Sequence, residues 1–290
     1  MDGYSFTQVS CHIHHIIICV CHVYSGIHLL KFGIELEVRG VHHVGDERQL
    51  VEIAVVHHLV VLAGELHALL LGVEFHESLL AATGEQDCEV YTQVTRGSGA
   101  YGLAYPEPSI PHLTMYTVPV DRAALAEKRA KGVNIITVED DRWARCDVNT
   151  LNRMPEVLAK QKAAVGRAFD ALFVRDGKIT EATEASFFIY KDGVLWTHPQ
   201  DKFIHKNITR RLLVERLSKD LDLQIIERAF DKDFALKADE AFICGPRCEF
   251  MPVTKIDRSF VADGKPGELA QKLQAAYMDF VAKECPAHHE

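Results

Sequence analysis

The side chains best suited to bind a metal ion are concentrated near the start of the chain. Residues 11–22 contain three cysteines and four histidines, which are common Zn²⁺ ligands: Cys11, His12, His14, His15, Cys19, Cys21 and His22. Their spacing fits no closed zinc-finger pattern, and alternate residues of a strand point to opposite faces of a sheet. The apolar run 16–18 fits a buried strand instead. We therefore predict no metal site, with a metal-binding module as the less favoured alternative.

A second group of candidate side chains lies between residues 140 and 250, on elements that the sequence predicts clearly. Alternating or β-rich runs predict nine strands, at 88–96, 112–119, 133–139, 171–175, 185–190, 194–197, 223–229, 240–244 and 250–256. Helices are predicted at 122–131, 154–168, 208–220, 232–237 and 267–283. This mixture of hairpins and helices is typical of an α+β fold rather than a regular parallel sheet.

Local signals define the ends of several of these elements. Asp121 and Asn207 are suitable N-caps for the helices that follow them, and Gly132 ends the first helix. The pairs Asp176-Gly177 and Asp192-Gly193 predict tight turns, the second of which closes a hairpin. In the second helix, the apolar residues that follow helical spacing are Val157, Leu158, Val165 and Phe169.

The overall composition is that of a globular protein and argues against two classes of partner. The 290 residues are 48% hydrophobic and 25% charged, with a formal net charge of −9. An acidic chain without a basic patch is not expected to bind nucleic acid. No apolar run reaches the roughly 20 residues that a membrane helix needs, and we find no signal peptide. The eight cysteines are therefore expected to be reduced thiols in the cytoplasm.

Residues 1–72 differ in composition from the rest of the chain. All ten prolines lie at or after Pro106, and eleven of the sixteen histidines lie at or before His76. Lys31 is the only lysine before Lys128. We interpret this segment as different from a native N-terminal domain, either a divergent replacement or the product of a shifted reading frame. Its apolar, β-prone stretches would promote aggregation if they do not fold against the remainder.

Seven strings after residue 88 have the order and spacing of one known family: VYTQVTRG (90–97), RWARCDVNTLN (142–152), VLAKQKA (157–163), ITEATEASFF (179–188), THP (197–199), NITRR (207–211) and CGPRCEFMPV (244–253). Over about residues 75–286 the chain resembles the class IV pyridoxal-phosphate-dependent aminotransferases, in particular the D-amino-acid aminotransferases. The resemblance implies two domains, a small one at 1–110 and a larger cofactor-binding one at 111–290. It also implies a homodimer in the cytoplasm.

The resemblance assigns cofactor-binding roles to five residues. Pyridoxal 5′-phosphate acts as an electron sink, and Glu181 matches the carboxylate beside its pyridine nitrogen. Ile208 and Thr209 match the residues that bind the phosphate through backbone N–H groups at a helix start. Gly245 and Arg247 lie in a turn where the family usually has small hydroxyl residues. Because the proline between them has no N–H group, the Arg247 side chain is the alternative phosphate contact.

The first departure from the family concerns the catalytic residue. The position of its Schiff-base lysine is occupied by Asn149, between the CD and LN of RWARCDVNTLN. That lysine holds the cofactor covalently and moves the proton during the reaction. An asparagine amide is neither nucleophilic nor basic, so it can do neither. Lys160 and Lys162 lie at least two helical turns further on, and Lys206 is a weak candidate. We therefore expect impaired catalysis, with the cofactor bound non-covalently or lost.

The second departure concerns the substrate. Tyr101 and Leu103 stand where the D-amino-acid enzymes place an arginine and a histidine that bind the α-carboxylate. A bidentate charged contact is therefore absent. The expected reaction is amino transfer between an amino acid, either a D-amino acid or a related amine, and a 2-oxo acid.

Two alternatives to an impaired aminotransferase stay open from the sequence. One is a non-catalytic relative that binds the cofactor weakly or only folds. The other is an enzyme of the same fold with a different reaction or substrate, such as an aminodeoxychorismate lyase or a branched-chain aminotransferase. Residues 1–72 do not decide between them, since they contain neither the FGDG-like stretch nor the phosphate-anchoring arginine of the family's small domain.

Overall fold

The computed structural model describes residues 17–20, 35–43, 49–56, 75–85, 87–107 and 112–284. These residues form two compact units that divide between Val120 and Asp121, ten residues after the domain boundary predicted from the sequence. The shift arises because strand His112–Pro119 pairs along its whole length with strand Cys88–Thr95 of the first unit. Most of the candidate metal ligands, at 11–16 and 21–22, lie outside the described residues, so the prediction about them stays a prediction.

The first unit contains a five-stranded sheet and one helix. Its strands are β1 (Ile17–Val20), β2 (Glu35–His43), β3 (Gln49–Val56), β4 (Cys88–Thr95) and β5 (His112–Pro119), in the order β1-β4-β5-β3-β2. Helix α1 covers residues 75–83. Its side chains Phe75 and Leu79 pack with Val90 of β4 and Met115 of β5 in a small core. Strands β4 and β5 confirm the predictions at 88–96 and 112–119.

The second unit is built on a nine-stranded mixed sheet. Its strands are β6 (Val133–Glu139), β7 (Asp170–Arg175), β8 (Lys178–Ala182), β9 (Ser186–Lys191), β10 (Val194–Thr197), β11 (Gln224–Glu227), β12 (Glu240–Gly245), β13 (Glu249–Ile256) and β14 (Ser259–Phe260). The order is β11-β10-β9-β12-β13-β6-β7-β8, and β14 pairs with β13. The pairs β13·β6, β6·β7 and β10·β11 are parallel, whereas β7·β8, β9·β10 and β12·β13 are antiparallel.

Helices follow the predicted positions in this unit. They are α2 (Arg122–Lys131), α3 (Met154–Val165), α4 (Ile208–Leu212), α5 (Ser218–Asp220), α6 (Lys232–Ala235) and α7 (Glu268–Glu284), and a π-helical segment (Leu213–Leu217) joins α4 to α5. The predicted helix at 208–220 is thus present with a π-helical centre. The predicted α+β class is confirmed. None of the helices among the described residues is both long and apolar enough to cross a membrane.

The predicted caps and turns are present in the structure. The Asp121 side chain accepts a hydrogen bond from the N–H of Ala124 at 2.8 Å. Asp176 and Asp192, which begin the turns after β7 and β9, have φ angles of 50° and 52°. The glycine that follows each of them is also left-handed, as a two-residue turn requires. These turns set the register of the strands that carry the site.

Helix α3 packs differently from what its apolar residues suggest. Its buried residues are Ala159 and Ala163, which pack with Ala171 and Phe173 of β7. Val157, Leu158 and Val165, whose spacing predicted the helix, are exposed on its other side, and Val157 is 60% exposed. Phe169, the fourth of these residues, lies beyond the end of α3 and packs against the core of the sheet. The inner face of α3 is made of short alanine side chains, which let the helix approach the sheet closely.

Candidate functional site

Glu181 is a buried carboxylate on β8, with 3% of its surface exposed. Its Oε1 accepts a hydrogen bond from Nη1 of Arg142 at 2.6 Å. The backbone N–H of His205 donates to both carboxylate oxygens, at 2.9 and 3.0 Å. Burial raises the pKa of Glu181 to about 7, against the opposing effect of Arg142. The carboxyl group can therefore hold or release a proton near neutral pH.

Arg142 is fixed by several acceptors and cannot move away from Glu181 easily. Its Nε and Nη2 donate to the two carboxylate oxygens of Asp140 at 2.9 and 3.0 Å. Nη2 also donates to the backbone carbonyl of Phe203 at 3.1 Å, and the guanidinium lies 4.3 Å from the ring centre of Phe173. Such a bidentate guanidinium, with an acceptor at each nitrogen, supplies a fixed positive charge beside Glu181.

Asp140 connects this arrangement to a second arginine. Arg175 donates from Nε to Oδ2 of Asp140 at 3.1 Å, and the Thr180 hydroxyl donates to the same oxygen at 3.1 Å. Although burial opposes it, hydrogen bonds from Arg142 and Arg175 keep the pKa of Asp140 below its usual value. Asp140 therefore stays charged and orients Arg142, which in turn orients Glu181.

Asn207 builds the start of helix α4, as the sequence predicted. Its Oδ1 accepts hydrogen bonds from the N–H groups of Thr209 and Arg210 at 2.9 and 3.2 Å. Its Nδ2 donates to the Cys244 carbonyl at 2.7 Å and to the Ser186 hydroxyl at 3.2 Å. This one side chain therefore holds the helix start against the ends of strands β9 and β12.

The two predicted phosphate-binding residues differ in what they can still donate. The Thr209 N–H is already bonded to Asn207, and Thr209 is 2% exposed. The N–H of Ile208 makes no hydrogen bond within the described part of the chain, and its side chain is 52% exposed. Of the two backbone donors, Ile208 N–H is therefore the one available to an anion at this helix start.

Gly245 and Arg247 contact Glu184 rather than each other. A Cβ atom at Gly245 would lie 2.8 Å from the Glu184 carbonyl and 3.2 Å from the Ala185 side chain, so glycine is required by close packing. Nη1 of Arg247 lies 3.4 Å from Oε2 of Glu184, and half of the Arg247 side chain is exposed. The Glu184 carboxylate also lies 3.7 Å from Nη2 of Arg153, so it pairs with arginines on both sides.

Asn149 lies in the loop that joins β6 to α3. The loop is anchored near its start by Arg142 and near its end by Arg153, whose Nη2 donates to the Thr183 carbonyl at 3.1 Å and lies 3.7 Å from Glu184. Asn149 is partly buried. Among the described residues its side chain has no hydrogen-bond partner. Both ends of the loop thus attach to β8 and the residues after it, so the loop that carries Asn149 is held beside β8.

The lysines considered as replacements are engaged elsewhere or exposed. Nζ of Lys160 lies 3.3 Å from Oδ2 of Asp170 and packs near the Phe169 ring. Lys162 and Lys206 are exposed, and the charge of Lys206 lowers the pKa of Asp147 after the larger effect of Arg145. That none of the three replaces a lysine at position 149 stays a prediction.

His205 is a site residue that the sequence did not identify. Besides its backbone contact with Glu181, its imidazole lies near the backbone of Cys146, three residues before Asn149. Burial lowers the pKa of His205, and the charges of Arg153 and Arg142 lower it further. The imidazole is therefore neutral at pH 7. Its only signal in the sequence is its place shortly before the NITRR helix start.

Tyr101 and Leu103, the predicted substrate-binding positions, lie in the first unit. Both side chains are fully exposed, in an irregular segment between β4 and β5. Neither is an arginine or a histidine, so neither side chain offers a carboxylate the charged contact that the family's residues provide.

Comparisons with known proteins agree with the features of the second unit. A model of the family Amino-transferase class IV matches residues 74–256. The D-alanine aminotransferase of Bacillus licheniformis is 36% identical over 208 residues, which are 72% of this chain and 72% of the relative. The D-alanine aminotransferase of Staphylococcus aureus strain COL is 33% identical over 210 residues, 72% of this chain and 73% of the relative.

Solved structures show the same fold. The branched-chain amino acid aminotransferase of Thermobaculum terrenum, in its PLP form, superposes with a TM-score of 0.61 at 24% identity, over 73% of this chain and 70% of the other. The branched-chain aminotransferase of Escherichia coli has a TM-score of 0.63 at 20% identity, over 77% and 74%. The family match begins at residue 74, which agrees with the predicted start of the resemblance. This chain belongs to the class IV aminotransferases.

Proposed function

We propose that this chain binds pyridoxal 5′-phosphate without a covalent bond and that its aminotransferase activity is impaired. The observation that carries the proposal is that the acid of the site is present whereas its base is missing. Glu181 accepts hydrogen bonds from Arg142 and His205, but Asn149 occupies the position of the family's lysine. When bound, the cofactor would supply an electron sink for the substrate carbon.

The residues of the site fit the cofactor at its two charged ends. A carboxylate has about four acceptor positions, and Oε2 of Glu181 accepts only the shared N–H of His205 among the described residues. It therefore keeps capacity for the N–H of a pyridine ring. At the other end, the start of α4 offers the Ile208 N–H, and the partial positive charge of a helix start favours a phosphate. Asp140 and Arg142 fix the acid end, and Asn207 fixes the phosphate end.

Asn149 determines what the site cannot do. Its amide carries no lone pair that accepts a proton at neutral pH, so it cannot take a proton from a substrate carbon or return it. The imidazole of His205 lies near the backbone of Cys146, in the loop that carries Asn149. Without a lysine at position 149 we expect proton movement at the substrate carbon, and therefore turnover, to be slow.

The proposed substrates are an amino acid and a 2-oxo acid. The D-alanine aminotransferases to which the chain is similar favour a D-amino acid. The exposed Tyr101 and Leu103 provide no charged carboxylate contact, so a related amine is an equal candidate. The cytoplasmic location stays a prediction from the sequence.

We also propose a homodimer, and helix α3 supports it. Met154, Val157, Leu158 and Val165 are each more than half exposed and, at about 100° per residue, lie on one stripe. The buried Ala159 and Ala163 lie on the opposite side. An apolar patch of this kind marks an interaction surface, and a two-fold axis would place the same patch of a second copy against it.

Cofactor attachment in Asn149→Lys tests the proposed function. Wild type and variant are incubated with pyridoxal 5′-phosphate, treated with borohydride and analysed by mass spectrometry. We expect a borohydride-stable cofactor mass on the variant at position 149 and none on wild type. Asn152→Lys is the matched control, because it adds a lysine to the same loop at an exposed position. Failure of both proteins to bind the cofactor would favour the non-catalytic relative instead.

A further inference from the structure

The side chain at position 149 is neutral and lies in a loop whose charges are paired. Arg142 is balanced by Asp140 and Glu181, and Arg153 lies 3.7 Å from Glu184. The Asn149 amide has no hydrogen-bond partner among the described residues, although it is partly buried. It therefore has both an acceptor oxygen and a donor nitrogen to offer a ligand.

Replacing a lysine by asparagine affects the two forms of the cofactor differently. The aldehyde form loses a covalent bond, while the amine form never had one to lose. The contacts at the ring nitrogen and the phosphate, through Glu181 and Ile208, are the same for both forms. What differs is the group to which the family's lysine would bond, which is an aldehyde oxygen in one form and an ammonium group in the other.

An ammonium group fits this position better than an aldehyde. A protonated primary amine donates a charge-assisted hydrogen bond to the amide oxygen of Asn149, which is stronger than the neutral bond from the amide N–H to an aldehyde. The ligand's nitrogen also takes up the space and the charge of the amine that a lysine would place there. The neighbouring arginines are paired with carboxylates, so their repulsion of the ammonium is reduced.

We propose that Asn149 makes this site selective for the amine form of the cofactor, pyridoxamine 5′-phosphate, over the aldehyde form. The inference rests on the proposed function, because it needs the ring and phosphate contacts at Glu181 and Ile208. It adds that the resident ligand of this chain is an amine and that position 149 sets the choice between the two forms.

Equilibrium binding of the two pure compounds tests the inference without any measurement of activity. Pyridoxamine 5′-phosphate and pyridoxal 5′-phosphate are titrated separately into the full chain by calorimetry. For wild type we expect a Kd for the amine form about tenfold lower, the ratio that a charge-assisted bond gives over a neutral one. Asn149→Lys should reverse the order, because covalent attachment becomes possible for the aldehyde. Asn152→Lys should keep the order of wild type.

A third variant separates the role of the amide from the loss of lysine. Asn149→Ala removes the hydrogen bond without restoring covalent attachment, so its two Kd values should become equal. Selectivity that persists in Asn149→Ala would overturn the inference, as would a wild-type protein that binds the aldehyde form as tightly as the amine form. In both cases a ligand still binds, and the proposed function stands. Absence of binding by either compound would overturn both.

Discussion

Removal of the Arg142 guanidinium should destabilise the second unit strongly. The side chains of Arg142 and Glu181 are each only 4% exposed and lie 2.6 Å apart. Breaking a buried pair by removing one partner costs about 3–5 kcal/mol. Asp140 would keep its contact with Arg175, and Glu181 would keep the His205 N–H. We therefore expect Arg142→Met to lower the free energy of unfolding by about 3 kcal/mol, the lower end of that range.

Urea unfolding followed by tryptophan fluorescence measures this effect. Both tryptophans, Trp143 and Trp196, lie in the second unit, so the signal reports the part that contains Arg142. The measurement is made at about pH 8, where Glu181 is mostly ionised. Arg228→Met is the control, because Arg228 is exposed and its loss should leave the midpoint nearly unchanged. A loss below about 1 kcal/mol in Arg142→Met, similar to an exposed arginine, would refute the buried network.

Three further predictions concern other parts of the second unit. Gly267→Ala should lower the urea midpoint, because a Cβ there collides with the Glu240 carboxylate. That carboxylate accepts a hydrogen bond from the first turn of α7, at 3.0 Å from the Leu269 N–H. An unchanged midpoint would contradict this prediction. The raised pKa of Glu181, about 7 against 4.5, means that the folded state binds this proton more tightly than the unfolded state does. Glu181 therefore contributes a loss of stability as the pH rises from 4.5 to about 7. Because Glu181→Gln lacks this contribution, wild type should lose more stability, or gain less, than the variant over this range; equal slopes would argue against a buried carboxyl. Leu158→Glu places a charge on the proposed α3 interface and should shift the mass measured by light scattering toward the monomer. The control Ala126→Glu, at an exposed position on α2, should leave the mass unchanged. If both variants are dimeric, α3 is excluded as the interface.

Most regular elements of the second unit could be predicted because their signals are local, but β8, which carries Glu181, and β14 were not among the predicted strands. Asp-Gly pairs at 176–177 and 192–193 adopt a left-handed backbone, and Asn207 caps the helix that follows it. The ends moved by one to three residues, for example from 168 to Val165 in α3. Such shifts depend on tertiary packing, which local patterns do not contain.

The site itself was only partly predictable. Glu181 and the start of α4 carry the family's pattern, but Arg142 and His205 make contacts that bridge 39 and 24 positions of the chain. No spacing in the sequence indicates such contacts. The N–H of Thr209 bonds Asn207, and the predicted phosphate contact of Thr209 stays a prediction. The exposure of Val157 and Leu158 shows that an apolar period predicts a helix without saying which side the protein's own core will cover.

The absorption spectrum of Asn149→Lys with pyridoxal 5′-phosphate tests the central claim most directly. On our proposal, this chain keeps the contacts of Glu181 and Ile208 for the two ends of the cofactor and lacks the amine that would attach it. The variant should therefore develop a visible band that wild type lacks, at stoichiometric cofactor. A variant whose spectrum stays identical to that of wild type with the same amount of cofactor would contradict it.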